Sequence, residues 1–137
     1  MAVNTERLFK LLNSRGVSGD ESEIRAAITE IVRPLCDDIT VDTMGNLFAH
    51  KKGSGKSNVR AMVCAHMDEV GLIVSWFRDD GLLEYDTVGG IDPRVLVSKR
   101  VKIGKNNVPG VIGAKAIHLQ SEAEYHSVLG HDRLPID

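Results

Sequence analysis

Apolar positions in the first quarter of the chain recur at helical spacing. Leu8, Leu11 and Leu12 share one face of a helix predicted over residues 5–15, with Asn4 or Thr5 as its cap and Gly16 just past its end. Ile24, Ile28, Ile31 and Val32 repeat in the same way until Pro34 stops the run, and Ser18-x-x-Glu21 ahead of them has the form of a capping box. These faces, Phe9 included, read as core rather than as a peptide-binding groove. The period then shortens to two. Asp38 to Asp42 alternates like a strand, Met44-Gly45-Asn46 turns, and Leu47 to Lys51 makes a second strand.

From Val59 to Ala65 the apolar run is nearly continuous, which predicts a strand covered on both faces, with Cys64 as a small core residue. The run ends in His66-Met67-Asp68-Glu69-Val70-Gly71, at the kind of strand end where an open α/β sheet places its ligand site. Leu72 to Phe77 and Leu82 to Thr87 flank Asp79-Asp80-Gly81, a strong hairpin signal. Gly89-Gly90 allows a change of direction, and a domain boundary is expected between Gly71 and Ile91. Beyond Arg94, short β-branched runs at Val95 to Val97, Val101 to Ile103 and Val108 to Ala114 indicate a small barrel or sandwich. His118 is expected to end an apolar strand. Ser121-x-x-Glu124 caps a short helix that holds Tyr125 and His126 and stops at Gly130, and Leu134 to Asp137 starts a further strand. The pattern is that of an α/β chain: residues 1–70 as part of a sheet domain, residues 71–137 as a β-rich domain.

Composition narrows the partners. With 137 residues, 42% of them hydrophobic, the chain has ample material for one core. A net charge of −2 with only 4% aromatic residues gives neither nucleic acid nor an anionic membrane a reason to bind. Two cysteines, Cys36 and Cys64, suggest no disulfide framework. The N-terminus MAVNTERLF lacks an apolar signal core and no run approaches a membrane span, so a cytoplasmic address is expected. Gly55-Lys56-Ser57 matches the end of a phosphate-binding loop, but the motif needs a glycine where this chain has His50 and a helix where it has an apolar strand. Lys51 to Asn58 therefore reads as a flexible basic hairpin loop.

Candidate chemistry gathers at His66 and Asp68. Residues two apart in an extended segment point the same way, so an imidazole suited to zinc or cobalt can bind an ion while the carboxylate accepts its second N–H. A hydrogen-bonded loop histidine satisfies the same pattern, and Glu69 fits a third ligand, a general base or a solvated charge equally well. His126 and His131 are five residues apart, a poor match to two ligands on one helical face.

The run AHMDEVGLIV resembles the signature of the glutamyl-aminopeptidase and tetrahedral (TET) aminopeptidase family, cytosolic dinuclear metallopeptidases of the zinc-exopeptidase clan formerly also classed as cellulases or endoglucanases. Four other segments agree in order: SGDESEIR at Ser18 to Arg25, DTMGNLFA at Asp42 to Ala49, VGGIDPRVLVSKRVKI and GVIGAKAIHL. The resemblance implies the N-terminal part of a zinc-exopeptidase α/β sheet followed by part of an inserted β-barrel domain that mediates dimerisation, with peptides as substrates and homo-oligomers as the assembled form. It makes His66 a metal ligand, Asp68 the catalytic carboxylate that orients it, and two zinc or cobalt ions the cofactor. Family members are more than twice this length, and their bridging aspartate, Glu-Glu pair, further aspartate and final histidine follow the inserted domain. The expectation is therefore a truncated metalloaminopeptidase, inactive as this chain alone. Two alternatives stand beside it: a non-catalytic assembly or binding module, and a small single-metal protein.

Overall fold

The computed structural model describes residues 4–55 and 58–137, so Lys56 and Ser57 of the phosphate-loop match lie outside the described residues. The chain divides into two compact units, Met1–Glu69 and Val70–Asp137.

In the first unit, helix α1 (Thr5–Asn13) starts where Asn4 Oδ1 accepts the Arg7 N–H at 3.0 Å. Its apolar stripe finds no covering layer among the described residues. Leu8, Phe9 and Leu12 are all exposed, Phe9 at 62%, contrary to the core role expected of them. Helix α2 (Ser22–Val32) does pack, burying Ile24 and Ala27, and Lys10 Nζ meets Glu30 Oε2 at 2.6 Å between the two helices. The capping box expected at Ser18-x-x-Glu21 does not form. Glu21 occupies the N-cap without a side-chain cap bond, and the Ser18 hydroxyl is engaged elsewhere. Strands β1 (Asp38–Val41) and β2 (Leu47–His50) pair antiparallel from Asp38↔His50 to Val41↔Leu47, as the alternation predicts. Asp42 closes the turn between them, its Oδ1 accepting the N–H groups of Met44 and Asn46 while Asn46 Nδ2 donates to Oδ2.

The apolar run after β2 departs most from expectation. Residues 59–65 form no strand, and Val59, Met62 and Val63 are 83%, 82% and 96% exposed. Cys64 is exposed as well, not a core residue. A strand that is apolar on both faces is stable only with hydrogen-bonded neighbours on its edges and a layer on each side. The unit's two described strands pair only with each other.

The second unit is built from two hairpins. Strands β3 (Gly71–Phe77) and β4 (Leu83–Val88) pair antiparallel around the Asp79-Asp80-Gly81 turn, with a bulge between Val74 and Trp76. Strands β5 (Arg100–Ile103) and β6 (Val108–Val111) form the second hairpin. Val95 to Val97 is not a strand. Pro93–Val95 makes a 3-10 turn, because Pro93 fixes its own φ and Asp92 Oδ1 accepts the Arg94 N–H at 2.9 Å. The described strands form three two-stranded sheets, and no closed barrel results.

Residues Leu134 to Asp137 stitch the two hairpins. Ile136 exchanges backbone hydrogen bonds with Leu83 at 2.8 and 2.9 Å, and Asp137 does the same with Val111. Leu134 and Ile136 thereby complete a core with Tyr85, Leu96 and Ile112. Helix α3 (Glu122–Tyr125) has both bonds of the expected capping box between Ser121 and Glu124, but it ends at Tyr125 with His126 as its C-cap, short of Gly130. His118 sits in a 3-10 turn, Ile117–Leu119, instead of ending a strand. Among the described residues no helix is long and apolar enough to cross a membrane.

Leu134 is fully buried, so Leu134→Ala is expected to cost about 2–5 kcal/mol in urea unfolding. A loss below ~1 kcal/mol would remove Leu134 from the core. Tyr85 is 4% exposed and its hydroxyl has no hydrogen-bond partner among the described residues. Tyr85→Phe is therefore expected to leave the unfolding midpoint unchanged or raise it, whereas a clear fall would reveal a partner. Glu124 is held down to about 2 by the Ser121 backbone N–H, then by Lys115 and the Ser121 hydroxyl, against an ordinary value of 4.5. A depressed carboxylate stabilises above its unfolded value, and that contribution is lost as pH falls from about 4.5 through about 2. Carboxyl NMR should place the Glu124 midpoint near the lower figure, and the Glu124→Gln protein should lose this part of its acid sensitivity.

Candidate metal-binding element

A close backbone approach builds this element. Gly16 is buried, and a Cβ added there would lie 2.7 Å from Ile24 Cγ2 and 3.2 Å from the Met67 carbonyl oxygen. With only hydrogen in that position, the Glu69 N–H donates to the Gly16 carbonyl at 2.7 Å, and Val17 bridges Glu69 in parallel register. The Ile24 N–H donates to Arg15 O at 3.1 Å and secures the same loop to the start of α2. The segment carrying His66 and Asp68 is thus held by backbone bonds to the α1–α2 connection, not by a sheet.

Side chains complete the arrangement. Ser18 Oγ donates to Asp68 Oδ2 at 2.5 Å. The other carboxylate oxygen lies 3.1 Å from His66 Nδ1, which is equally close to the Asp68 carbonyl oxygen. The Ser18 hydroxyl, and after it the His66 ring, hold the Asp68 carboxyl below its ordinary range. The His66 side chain is 86% exposed, so a ligand can reach the ring from solvent. One imidazole with its Nδ1 taken by a carboxylate fits one nitrogen position of a metal site. It does not complete one: among the described residues no group of three or more His, Cys, Asp or Glu side chains gathers where it could hold an ion. Glu69 contributes its backbone N–H to the Gly16 contact.

Sequence reasoning paired His66 with Asp68 but missed Ser18 and the role of Gly16. Ser18 looked like a helix cap because a capping box and a loop hydroxyl share one local pattern, and its partner lies 50 residues away. Gly16 looked like an ordinary helix terminator. The groove of about 620 Å³ along α2, lined by Arg25, Thr29, Arg33 and Val41 among others, includes neither His66 nor Asp68.

Comparison with known proteins adds a family. The model of the M42 glutamyl aminopeptidase family matches residues 45–137. A curated relative from Acetivibrio thermocellus is 48% identical over 114 residues, covering 80% of this chain and 33% of its own. The crystal structure of a TET aminopeptidase from a marine-sediment thaumarchaeon superimposes with a TM-score of 0.87 at 32% identity, over 97% of this chain and 37% of that one. A Pyrococcus horikoshii TET peptidase that can assemble into a tetrahedron or a large octahedral shell does so with a TM-score of 0.81 at 36% identity, over 97% and 39%. The chain spans about a third of the length of the curated relatives it matches.

Gly16→Val should force the loop and residues 67–69 apart, at a cost of about 1–3 kcal/mol. Hydrogen exchange at the Glu69 amide is the direct readout. Faster exchange in the variant is expected, and an unchanged rate would mean that the close approach does not hold the element.

Proposed function

The chain belongs to the M42 glutamyl aminopeptidase family, and on that premise we propose that it forms the N-terminal part of a metal-dependent aminopeptidase. The observation that carries this reading is the coincidence of the family match with a histidine at 3.1 Å from a carboxylate oxygen. In it, residues 1–70 are part of the catalytic α/β domain and residues 71–137 part of an inserted domain. His66 supplies one metal ligand through Nε2, and Asp68 is the carboxylate that fixes its ring.

Two divalent ions, zinc or cobalt, are the cofactor of the intact site; when bound, they supply Lewis acidity toward a peptide carbonyl and a water of lowered pKa. The contribution of this chain is orientation. Asp68 accepts the His66 Nδ1–H, which fixes the ring plane and raises the basicity of the opposite nitrogen. The general base and the remaining ligands come from the region corresponding to the other two thirds of the relatives. Peptide hydrolysis therefore belongs to the complete enzyme, and these 137 residues alone are inactive. A cytoplasmic location and peptide substrates follow from the same reading.

Self-association is part of it. Ile73, Trp76 and Phe77 of β3 are 57%, 64% and 74% exposed, the kind of apolar surface that marks a protein interface, and the TET relatives form closed assemblies. Trp76→Glu should lower the mass measured by light scattering, and an unchanged mass would exclude Trp76 from the contact.

Leucine- or glutamate-anilide hydrolysis by the purified chain with zinc or cobalt tests the central statement. No rate above buffer is expected, with or without His66→Ala. A rate that His66→Ala abolishes would overturn the claim of inactivity.

A further inference from the structure

The hydroxyl of Ser18 has two possible uses in this sequence, and the structure assigns it the less local one. It stands four residues ahead of α2, yet it reaches Asp68 Oδ2 at 2.5 Å and leaves the helix uncapped by any side chain. The turn that carries it is itself fixed. Gly19 sits at φ +93°, a left-handed conformation that suits glycine, and its N–H donates to Glu21 Oε1 at 2.6 Å. Val17, next to Ser18, bridges Glu69, next to Asp68. Backbone and side chain thus register the same two segments.

The chemistry of the other end follows from counting donors. His66 Nδ1 lies 3.1 Å from two oxygens, the Asp68 carbonyl and Asp68 Oδ1. A carbonyl and an ionised carboxylate can only accept, so Nδ1 must carry the hydrogen. The neutral ring then has its lone pair on Nε2, the exposed side. That geometry needs Asp68 to hold one rotamer, and a carboxylate on a segment outside any strand is free to turn unless its second oxygen is tied.

We propose that Ser18 is a positioning residue for His66: its hydroxyl fixes the Asp68 carboxylate, which in turn selects the Nδ1–H tautomer and presents Nε2 to a divalent cation. This rests on the reading of His66 as a metal ligand given above, and it assigns a role to the Ser18-Gly19-x-Glu21 motif that helix capping leaves unexplained.

Long-range proton–nitrogen NMR of the histidine rings reads the tautomer directly. It would be recorded on the whole 137-residue chain at a mildly alkaline pH. The wild-type His66 should be in the Nδ1–H form. Ser18→Ala should move it toward the Nε2–H form, Ser18→Thr should retain the wild-type pattern, and the Glu69 amide should exchange at its wild-type rate in both. An Nδ1–H ring that persists in Ser18→Ala, or a Glu69 amide that loses protection with it, would overturn the positioning role. A wild-type His66 ring in the Nε2–H form would instead overturn the ligand reading beneath it, because Nε2 would then carry a hydrogen and offer no lone pair.

Discussion

The contact on which the candidate site depends is the approach of Gly16 to the Met67–Glu69 backbone. One missing Cβ lets two chain segments pass close enough for the Glu69 N–H to reach the Gly16 carbonyl at 2.7 Å. Every further interaction of the element follows from that register: the Val17–Glu69 bridge, the Ser18–Asp68 hydrogen bond, and through Asp68 the set of the His66 ring. Hydrophobic burial plays little part, since the apolar run leading into His66 is almost wholly exposed. Backbone hydrogen bonds and one hydroxyl hold the His66 side chain, a task that a packed sheet would ordinarily perform.

Local signals in the sequence were legible where the physics is local. The β3–β4 hairpin follows from Asp79-Asp80-Gly81, the β1–β2 pair from alternation around Met44-Gly45-Asn46, and the cap of α3 from Ser121-x-x-Glu124. Reading failed where the outcome depends on what lies across from a residue. Val59 to Ala65 has the composition of a central strand and Leu8, Phe9 and Leu12 the spacing of a buried face, but burial needs neighbours that the described residues do not supply. Val95 to Val97 is rich in β-branched residues, yet Asp92-Pro93 turns the chain there first. His66 and Asp68 were readable as a pair because they stand two positions apart in sequence. Ser18 was not, because its partner is 50 residues distant.

These failures share a physical cause that bears on function. Under the proposed reading, the exposed apolar segments of the first unit and the absence, among the described residues, of further ligands around His66 are what the N-terminal part of a larger catalytic unit would show, and the chain spans about a third of the length of the relatives it matches. The second unit differs. Its two hairpins are closed by Leu134 to Asp137 into a core with five buried side chains.

The most direct test of this account is a chimera in which residues 1–137 replace the matching third of the Acetivibrio thermocellus relative, assayed for aminopeptide hydrolysis alongside its metal content. The account predicts a chimera that binds metal and hydrolyses peptide anilides, and that loses both activity and part of its metal when His66 is changed to alanine. A chimera that keeps its full metal content and full rate without His66 would contradict it.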